Sequence, residues 1–578
     1  MLCNSPAFAT SIDEVLRIRA ETTPDDLSAC FLIDGEEEGP RLSYANLDKK
    51  ARALAALLRD RGGPGDRVLL LFEAGLEFVP AFFGCLYAGL VPVPLPPPRP
   101  EPLAQSWQGL ANVTADCQPQ IALTTSDLVA SLSQGFGRMP CGDALHWIAV
   151  DQIDLSHARR WRQGRVETNT LALLQYTSGT TAAPRGVMVT HGNLMHNERM
   201  LETAVEHCGP GLGVLWLPLH HDMGLIGGLL QAVYHGAVCV MLSPLSLLQE
   251  PFRWLSAISR YRADTSGGPN FVYDLCARRI TPEQKAALDL SNWSIAVIGS
   301  EPISARVMER FSDAFASCGF RPETFYPCYG LAEATVFVTG GAKASRPIVR
   351  TVRTSSLEQG QVEEVSADSP DARVLVGCGW PWLGLRVEIV DPNSLQICPP
   401  RTVGEIWVAG PSVAAGYWNR PEESARTFAA RLSGSGEGPF LRTGDLGFVW
   451  DGELFVTGRL KDILVIRGRN HYPQDIEATV QQVHLGLRSD CGAAFETGPD
   501  GEPRLIVAQE LDRRYRDADL TRLAGDIRQA VAERHQLQVH EVCFLQPGAL
   551  PRTASGKIQR HACRIAYEKG TLRCWRKT

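Results

Sequence analysis

The sequence predicts an α/β fold: a large N-terminal domain of two parallel-type αβ sheets plus a β-rich subdomain, followed by a small mobile α+β C-terminal domain. Three observations carry that expectation. Apolar strand-like runs alternate with helix-like segments over the first part of the chain, the pattern of parallel sheets covered by helices. After about Arg373 the texture shifts to short strands broken by Gly and Pro turns. From Lys461 onward a further set of strands and helices suggests a compact unit of its own. Length agrees, since 578 residues exceed what one core sustains.

In chain order, DRVLLLF (66–72) reads as a buried strand. Phe78 to Leu95 then carries no charged residue over 18 positions, the lower edge of membrane-spanning length. Pro80, Gly84, Gly89, Pro92 and Pro94 interrupt it, so a buried helix to about Ala88, a turn at Gly89 and a short strand are expected, and no membrane span. LALLQY (171–176), GVLWLPL (213–219) and AVCVMLS (237–243) are strand-like. WSIAVIGS (293–300) is a strand that leads into a helix from about Ser304 to Ala316. A polar stretch from Gly341 to Arg373 follows, then the β-rich subdomain at about 373–458 with VLVGCG, RVEIVD, GEIWVAG and ELFVTG as strands. SGSGEG (433–438) is a surface loop. The N-terminal domain is expected to span 1–458, with a hinge at 459–462 and the C-terminal domain at 463–578. RLIVAQE (504–510) and LTRLAGDIRQAVAERH (520–535) supply a strand and a helix there.

Hydrophobic residues at 44% and charged residues at 21% are ordinary for a soluble globular chain. A formal charge of −7 argues against a general nucleic-acid binder, which needs clustered Lys and Arg. Sixteen cysteines are scattered without a CxxC pair, which favours reduced buried thiols and a cytoplasmic protein over metal sites or disulfides. The N-terminal MLCNSPAFATSIDE lacks the basic and apolar regions of a secretory signal.

Chemistry concentrates in five ordered blocks: LQYTSGTTAAPRG, YGLAEAT, LRTGDLG, TGRLKD and LPRTASGKIQR. The first places Thr177, Ser178, Gly179, Thr180 and Thr181 after a strand-like run. Glycine lets backbone approach an anion closely, while hydroxyl and N–H groups donate to phosphate oxygens. Arg185 adds a fixed positive charge in fork geometry. The Walker A pattern is absent, and an ordinary Ser/Thr turn is the alternative for the pentapeptide alone.

This block resembles the phosphate-gripping loop of the adenylate-forming superfamily: acyl-CoA synthetases, luciferases and the adenylation domains of peptide synthetases. That loop usually runs TSGTTGxPKG; here Ala182 replaces a glycine and Arg185 the lysine. Gly299, Ser300, Glu301 and Pro302 begin where a strand ends, a position at which open α/β sheets bind ligands. The resemblance lays this segment along the adenine ring of ATP. FYPCYGLAEAT (325–335) supplies Tyr329 and Gly330 to the same ATP site, and Glu333, whose carboxylate near a triphosphate most simply coordinates Mg2+. A solvent-facing carboxylate at a helix start is the plainer reading of Glu333. Asp445, between glycines in RTGDLG, reads as an exposed carboxylate able to accept from both ribose hydroxyls, or as a hairpin-turn Asp. Arg459, at the end of the next strand, reaches the same ribose.

Lys557 matches the family's catalytic lysine, a compact cation suited to charge growing between carboxylate and α-phosphate. Lys461 falls where the family places its hinge residue. WLPLHHDMGLIGGLLQ (216–231), GYWNRPEESARTF (416–428) and RGRNHYPQDIE (467–477) narrow the resemblance to fatty acyl-AMP ligases, and the 341–373 stretch resembles their insertion, thought to hinder the rearrangement that coenzyme A needs. A plain solvated loop is the alternative for that stretch. His221 is the candidate at the mouth of the acyl pocket, or a structural histidine beside Asp222. The family relation implies ATP-dependent activation of a fatty acid and acyl transfer to the phosphopantetheine of a separate acyl carrier protein, no carrier domain being visible in this chain. An acyl-CoA ligase using free coenzyme A, a non-catalytic acyl or nucleotide-binding relative, and an enzyme for aryl or amino acids remain as alternatives.

Overall fold

The computed structural model describes residues 8–98, 105–137, 145–177, 184–206, 211–466, 469–498, 503–552 and 556–577. Its larger sheet has a parallel centre in the order Phe325–Tyr329, Ile295–Ile298, Thr265–Gly268, Leu212–Leu215, Val238–Leu242 and Leu27–Ile33. Antiparallel strands close both sides: Glu37–Ser43 at one, Thr339–Gly340 and Trp380–Pro381 at the other. The strand expected over 213–219 ends at Leu215, ahead of Pro218, and residues 217–221 line a cavity instead. At mid-sheet the ladder between Leu212–Leu215 and Thr265–Gly268 pairs only Thr265 with Gly213. Side chains serve the backbone groups left over there. Ser266 Oγ donates to the Val214 carbonyl at 2.6 Å, and Trp216 Nε1 donates to that of Gly267 at 2.9 Å.

Val91–Leu95, Arg67–Leu71, Ile121–Thr124 and His146–Ala149 form the second parallel sheet. The uncharged run from Phe78 resolves as expected. Phe78–Ala88 is a helix buried at every position, and Val91–Leu95 is a strand buried on both faces. Gly89 ends the helix at φ +78°, the left-handed conformation favoured by glycine, and its N–H reaches the Cys85 and Leu86 carbonyls. Among the described residues, no helix is long and apolar enough to cross a membrane. Leu171–Thr177 is not a parallel-sheet strand: it pairs antiparallel with Arg185–Thr190. Its alternating side chains enter two cores, Leu173 on one side and Leu174 on the other.

The β-rich sheet runs Arg386–Val390, Gly404–Ala409, Leu441–Trp450, Glu453–Arg459, all antiparallel. The polar 341–373 stretch is an ordered element rather than a solvated loop. Val349–Arg353 pairs with Ala372–Val376, and Val352, Leu357, Val362 and Leu375 pack on Phe448, Trp450, Phe455 and Tyr472. Polar contacts extend this packing to the start of the following unit. Arg373 donates to the Thr457 carbonyl at 3.0 Å, meets Asp475 at 3.2 Å and lies 4.4 Å over the Tyr472 ring. Glu358 faces His471 Nδ1 at 2.8 Å, both side chains buried. Beyond Arg459, the strands Leu487–Thr497, Arg504–Leu511, Val539–Leu545 and Cys574–Lys577 carry the helices Pro473–Gln482, Leu520–His535 and Arg560–Glu568, with Ile476, Ala524, Ile527 and Val542 in their core.

Candidate active site

A cavity of about 2930 Å³ opens at the carboxyl ends of the large sheet's parallel strands and is closed over by the last unit of the chain. Two strands deliver most of its polar wall. Ile295–Ile298 leads into Ser300, Glu301 and Pro302, and Phe325–Tyr329 leads through Gly330 to Glu333; all of these residues line the cavity. Gly330 is fixed by close approach, because a Cβ there would overlap the Val336 carbonyl oxygen. Asn270 orients the first segment: its amide donates to Glu301 Oε1 at 3.1 Å and to the Pro302 carbonyl at 2.8 Å. Gly299 is not among the lining residues, and a Cβ there would lie 2.8 Å from the Cys328 carbonyl oxygen.

Asp445 is neither exposed nor in a turn. It lies inside the Leu441–Trp450 strand at 6% exposure, because that strand is paired on both sides and Asp445 sits opposite Arg459 in the ladder. Tyr329 Oη donates to Asp445 Oδ2 at 2.8 Å, and Arg459 Nε donates to Oδ1 at 3.0 Å. Each carboxylate oxygen keeps a second lone pair for a ligand. Asp445 in turn holds the Arg459 guanidinium above its ordinary pKa, against the opposing effect of burial.

Glu333 is likewise no solvent-facing helix-start carboxylate. It sits in the short turn Ala332–Ala334, where Tyr417 Oη donates to its Oε1 at 2.8 Å. Burial pushes its carboxyl above the ordinary pKa, and the Tyr417 hydrogen bond partly offsets that. Tyr417 belongs to the GYWNRP run, and its hydroxyl role carried no sequence signal beyond membership in that block. Thr177 and Arg185 also line the cavity, but the Arg185 guanidinium is paired with Glu423 at 2.6 Å and lies 5.4 Å from the Tyr417 ring centre. Ser178, Gly179, Thr180, Thr181 and Ala182 lie outside the described residues.

From the opposite side Lys557 lines the cavity, and the carbonyl of the preceding Gly556 accepts from Arg552 Nη1 at 2.6 Å. Burial lowers the Lys557 pKa and Arg459 adds to the effect, while Asp222, Glu301 and Asp445 oppose it. Asp222, unnoticed by motif reading except as a neighbour, is therefore an electrostatic partner of Lys557. Its Oδ1 lies 2.7 Å from His221 Nδ1 and accepts from the Met223 amide at 2.7 Å. Burial resists its ionisation, but His221, Lys557 and Met223 outweigh that and hold the carboxyl below its ordinary pKa. His221 and Lys461 line the same cavity. His220 does too, and burial, with His221 beside it, pushes its pKa down to about 4. The structure thus brings together Lys557, Asp445, Arg459, Glu333, Tyr329, Glu301 and His221, and leaves Gly299 aside.

Among the described residues, no group of three or more His, Cys, Asp or Glu side chains is arranged to hold a metal. A single lining carboxylate such as Glu333 is compatible with Mg2+, which keeps several waters and typically takes one or two protein carboxylates together with substrate phosphates.

A parallel α/β sheet whose carboxyl-end crevice is closed by a second, lysine-bearing unit defines the adenylate-forming class of enzymes. The chain belongs to the AMP-binding enzyme family, whose model matches residues 16–418, and residues 461–577 match the Disco-interacting protein 2-like AMP domain. It is 45% identical over 576 residues to the medium-chain-fatty-acid–[acyl-carrier-protein] ligase JamA of Moorena producens, covering 99% of this chain and 97% of that one. It is 38% identical over 595 residues to the long-chain-fatty-acid–AMP ligase FadD32 of Mycolicibacterium smegmatis, covering 96% and 94%. The crystal structure of a fatty acyl-adenylate ligase from Legionella pneumophila, in complex with acyl adenylate and pyrophosphate, superposes with a TM-score of 0.77 at 40% identity, covering 99% of this chain and 98% of that one.

Proposed function

We propose that this protein activates a fatty acid with ATP to an acyl-adenylate, releases pyrophosphate, and passes the acyl group to the phosphopantetheine of a separate acyl carrier protein. The observation that carries the reading is the convergence of Lys557, Arg459, Asp445 and Glu333 on one cavity that continues along apolar strands. The names of the relatives point the same way, toward fatty-acid ligases of AMP and of acyl carrier protein.

Asp445 and Arg459 hold the ribose of ATP, and the 300–302 and 329–330 segments flank its adenine. Lys557 draws the fatty carboxylate and the α-phosphate together and stabilises the extra negative charge of in-line attack. Asp222 keeps that ammonium charged. Glu333 is the carboxylate that would hold Mg2+, and the ion would supply charge neutralisation for the phosphates. Arg185, which lines the cavity and is held by Glu423, is the cation offered to the phosphates. After adenylation the unit beyond Arg459 turns about 459–462, with Lys461 at the pivot, and Lys557 gives way to the carrier arm. The Arg373–Tyr472 and Glu358–His471 contacts must part for that turn, whichever thiol accepts the acyl group. The described cysteines are free thiols, which fits a reducing, cytoplasmic setting.

Product analysis tests the reading: the protein with ATP, Mg2+ and saturated fatty acids, with and without coenzyme A and a phosphopantetheinylated carrier. Acyl-AMP that persists with coenzyme A and is consumed by the carrier is expected; rapid formation of acyl-CoA would overturn the carrier assignment. The ribose role predicts that Asp445→Asn raises the KM for ATP roughly ten- to a hundredfold, the worth of a charged hydrogen bond. Steady-state kinetics with varied ATP checks it, and an unchanged KM would remove Asp445 from the nucleotide site.

A further inference from the structure

The stretch from Ala414 into the GYWNRPEESARTF run stands between the two charged groups at the phosphate end of the site. On one side the Ala414 amide donates to the Glu333 carbonyl at 2.9 Å. On the other, residues 415–418 lie beside the strand Arg185–Thr190. The Ala415 amide donates to the Met188 carbonyl at 2.9 Å and the Trp418 amide to that of Gly186 at 2.8 Å, with Tyr417 antiparallel to Val187. This backbone ties the turn that carries Glu333 to the strand that opens with Arg185.

Tyr417 repeats that connection with its side chain. Its hydroxyl donates to Glu333 Oε1 at 2.8 Å, while the Arg185 guanidinium lies 5.4 Å from the centre of its ring. The residue is buried and held in place: Phe428 packs edge-on at 5.0 Å, and Ser424 Oγ accepts from the Tyr417 amide at 2.9 Å. Both neighbours come from the helix Pro421–Phe428, which also presents Glu423 to Arg185 at 2.6 Å. Tyr417, Glu333 and Arg185 all line the cavity. A hydrogen bond to one carboxylate oxygen fixes the plane of the group, and with it the direction in which the other oxygen faces. Such outer partners of a metal-holding carboxylate are typically worth about 10- to 100-fold in metal affinity. A cation over a tyrosine face gains less, about two- to fivefold at a partly exposed site.

We infer that Tyr417 is a positioning residue for the phosphate end of the site: its hydroxyl fixes the Glu333 carboxylate for Mg2+, and its ring seats Arg185 for the phosphates. This rests on the reading of Glu333 and Arg185 above and adds the group that sets both. Calorimetric ATP affinity, measured with Mg2+ and again in EDTA, separates the two roles. The ratio of the two values reports the share of the metal, and the EDTA value that of the protein's own cations. Tyr417→Phe keeps the ring and loses the hydroxyl, so the ratio should fall about tenfold or more while the EDTA value holds. Tyr417→Leu loses both and should also weaken binding in EDTA by about two- to fivefold. Tyr417→Met, closer in volume, is the second ringless variant if Tyr417→Leu fails to fold. In a Glu333→Gln background the loss from Tyr417→Phe should vanish, because the hydroxyl acts through that carboxylate. An unchanged ratio in Tyr417→Phe, an equal loss in the Glu333→Gln background, or full EDTA affinity in the ringless variant would overturn the inference. A ratio near one in the unaltered protein would overturn instead the reading of Glu333 as the Mg2+ carboxylate.

Discussion

Lys557→Ala is expected to slow acyl-adenylate formation by about 100- to 1000-fold while leaving ATP affinity nearly unchanged. The reasoning is electrostatic. Lys557 lies in a buried site where Asp222, Glu301 and Asp445 favour its charged form and burial with Arg459 disfavours it. The ammonium therefore meets little competing water, and its interaction with charge that develops in the transition state is strong. In the proposed arrangement ground-state ATP is gripped mainly elsewhere, through Asp445 and the 300–302 segment. The lowered pKa gives a second signature. The charged form is required, so the rate should fall as pH rises through that pKa, below the usual lysine value. Lys557→Arg, which does not titrate in this range, should lose that basic limb. Pyrophosphate exchange across pH, with ATP affinity by calorimetry, measures both. A variant with normal exchange would sink the assignment of the C-terminal motif.

Much of this was legible from residue type and order. The helix–Gly–strand reading of Phe78 to Leu95 held because glycine after a helix and proline within an apolar run have fixed backbone consequences. Three parallel strands of the large sheet, Leu212–Leu215, Val238–Leu242 and Ile295–Ile298, were readable as apolar runs, since strands buried on both faces lose their alternation, whereas Thr265–Gly268, a TSGG segment, gave no such signal. Leu171–Thr177 is the strand its apolar run predicts, buried on both faces between two cores, and its antiparallel partner Arg185–Thr190 carried no sequence signal. Asp445 and Glu333 were found as residues but not in their surroundings. Their partners, Arg459 and Tyr329 for one and Tyr417 for the other, come from other strands and loops, the nearest being Arg459, 14 residues on. The part played by Asp222 needed the structure for the same reason. It acts only once the fold brings Lys557, more than 300 positions later, into electrostatic reach.

Arg560→Ala is expected to destabilise the unit that carries Lys557 by about 3–5 kcal/mol, the cost of removing one member of a buried ion pair. Arg560 lies three residues beyond Lys557 and opens the helix Arg560–Glu568. Its guanidinium grips Glu477 with two parallel bonds, Nε to Oε1 and Nη2 to Oε2, both at 2.7 Å, and reaches Asp462 Oδ2 at 3.3 Å. One side chain thus ties the lysine-bearing segment to the helix Pro473–Gln482 and to the stretch after Arg459. Burial opposes its charge, but Glu477 and Asp462 outweigh that and hold its pKa above the ordinary arginine value. Without it, Glu477 is left at the centre of the unit with the Ala494 amide as its remaining donor in this network. Lysine should not rescue, because a point charge cannot reproduce the planar two-bond fork. Hydrogen exchange over residues 463–577 should show the loss of protection, and acyl-AMP formation should fall with it as Lys557 loses its anchor. Replacing both partners, Arg560→Met with Glu477→Leu, should recover protection but not the full rate, because apolar packing restores stability without restoring the tie to Asp462. Full protection in Arg560→Ala would mean that the apolar contacts around Cys563 hold this helix by themselves, and that the position of Lys557 is set by its own turn.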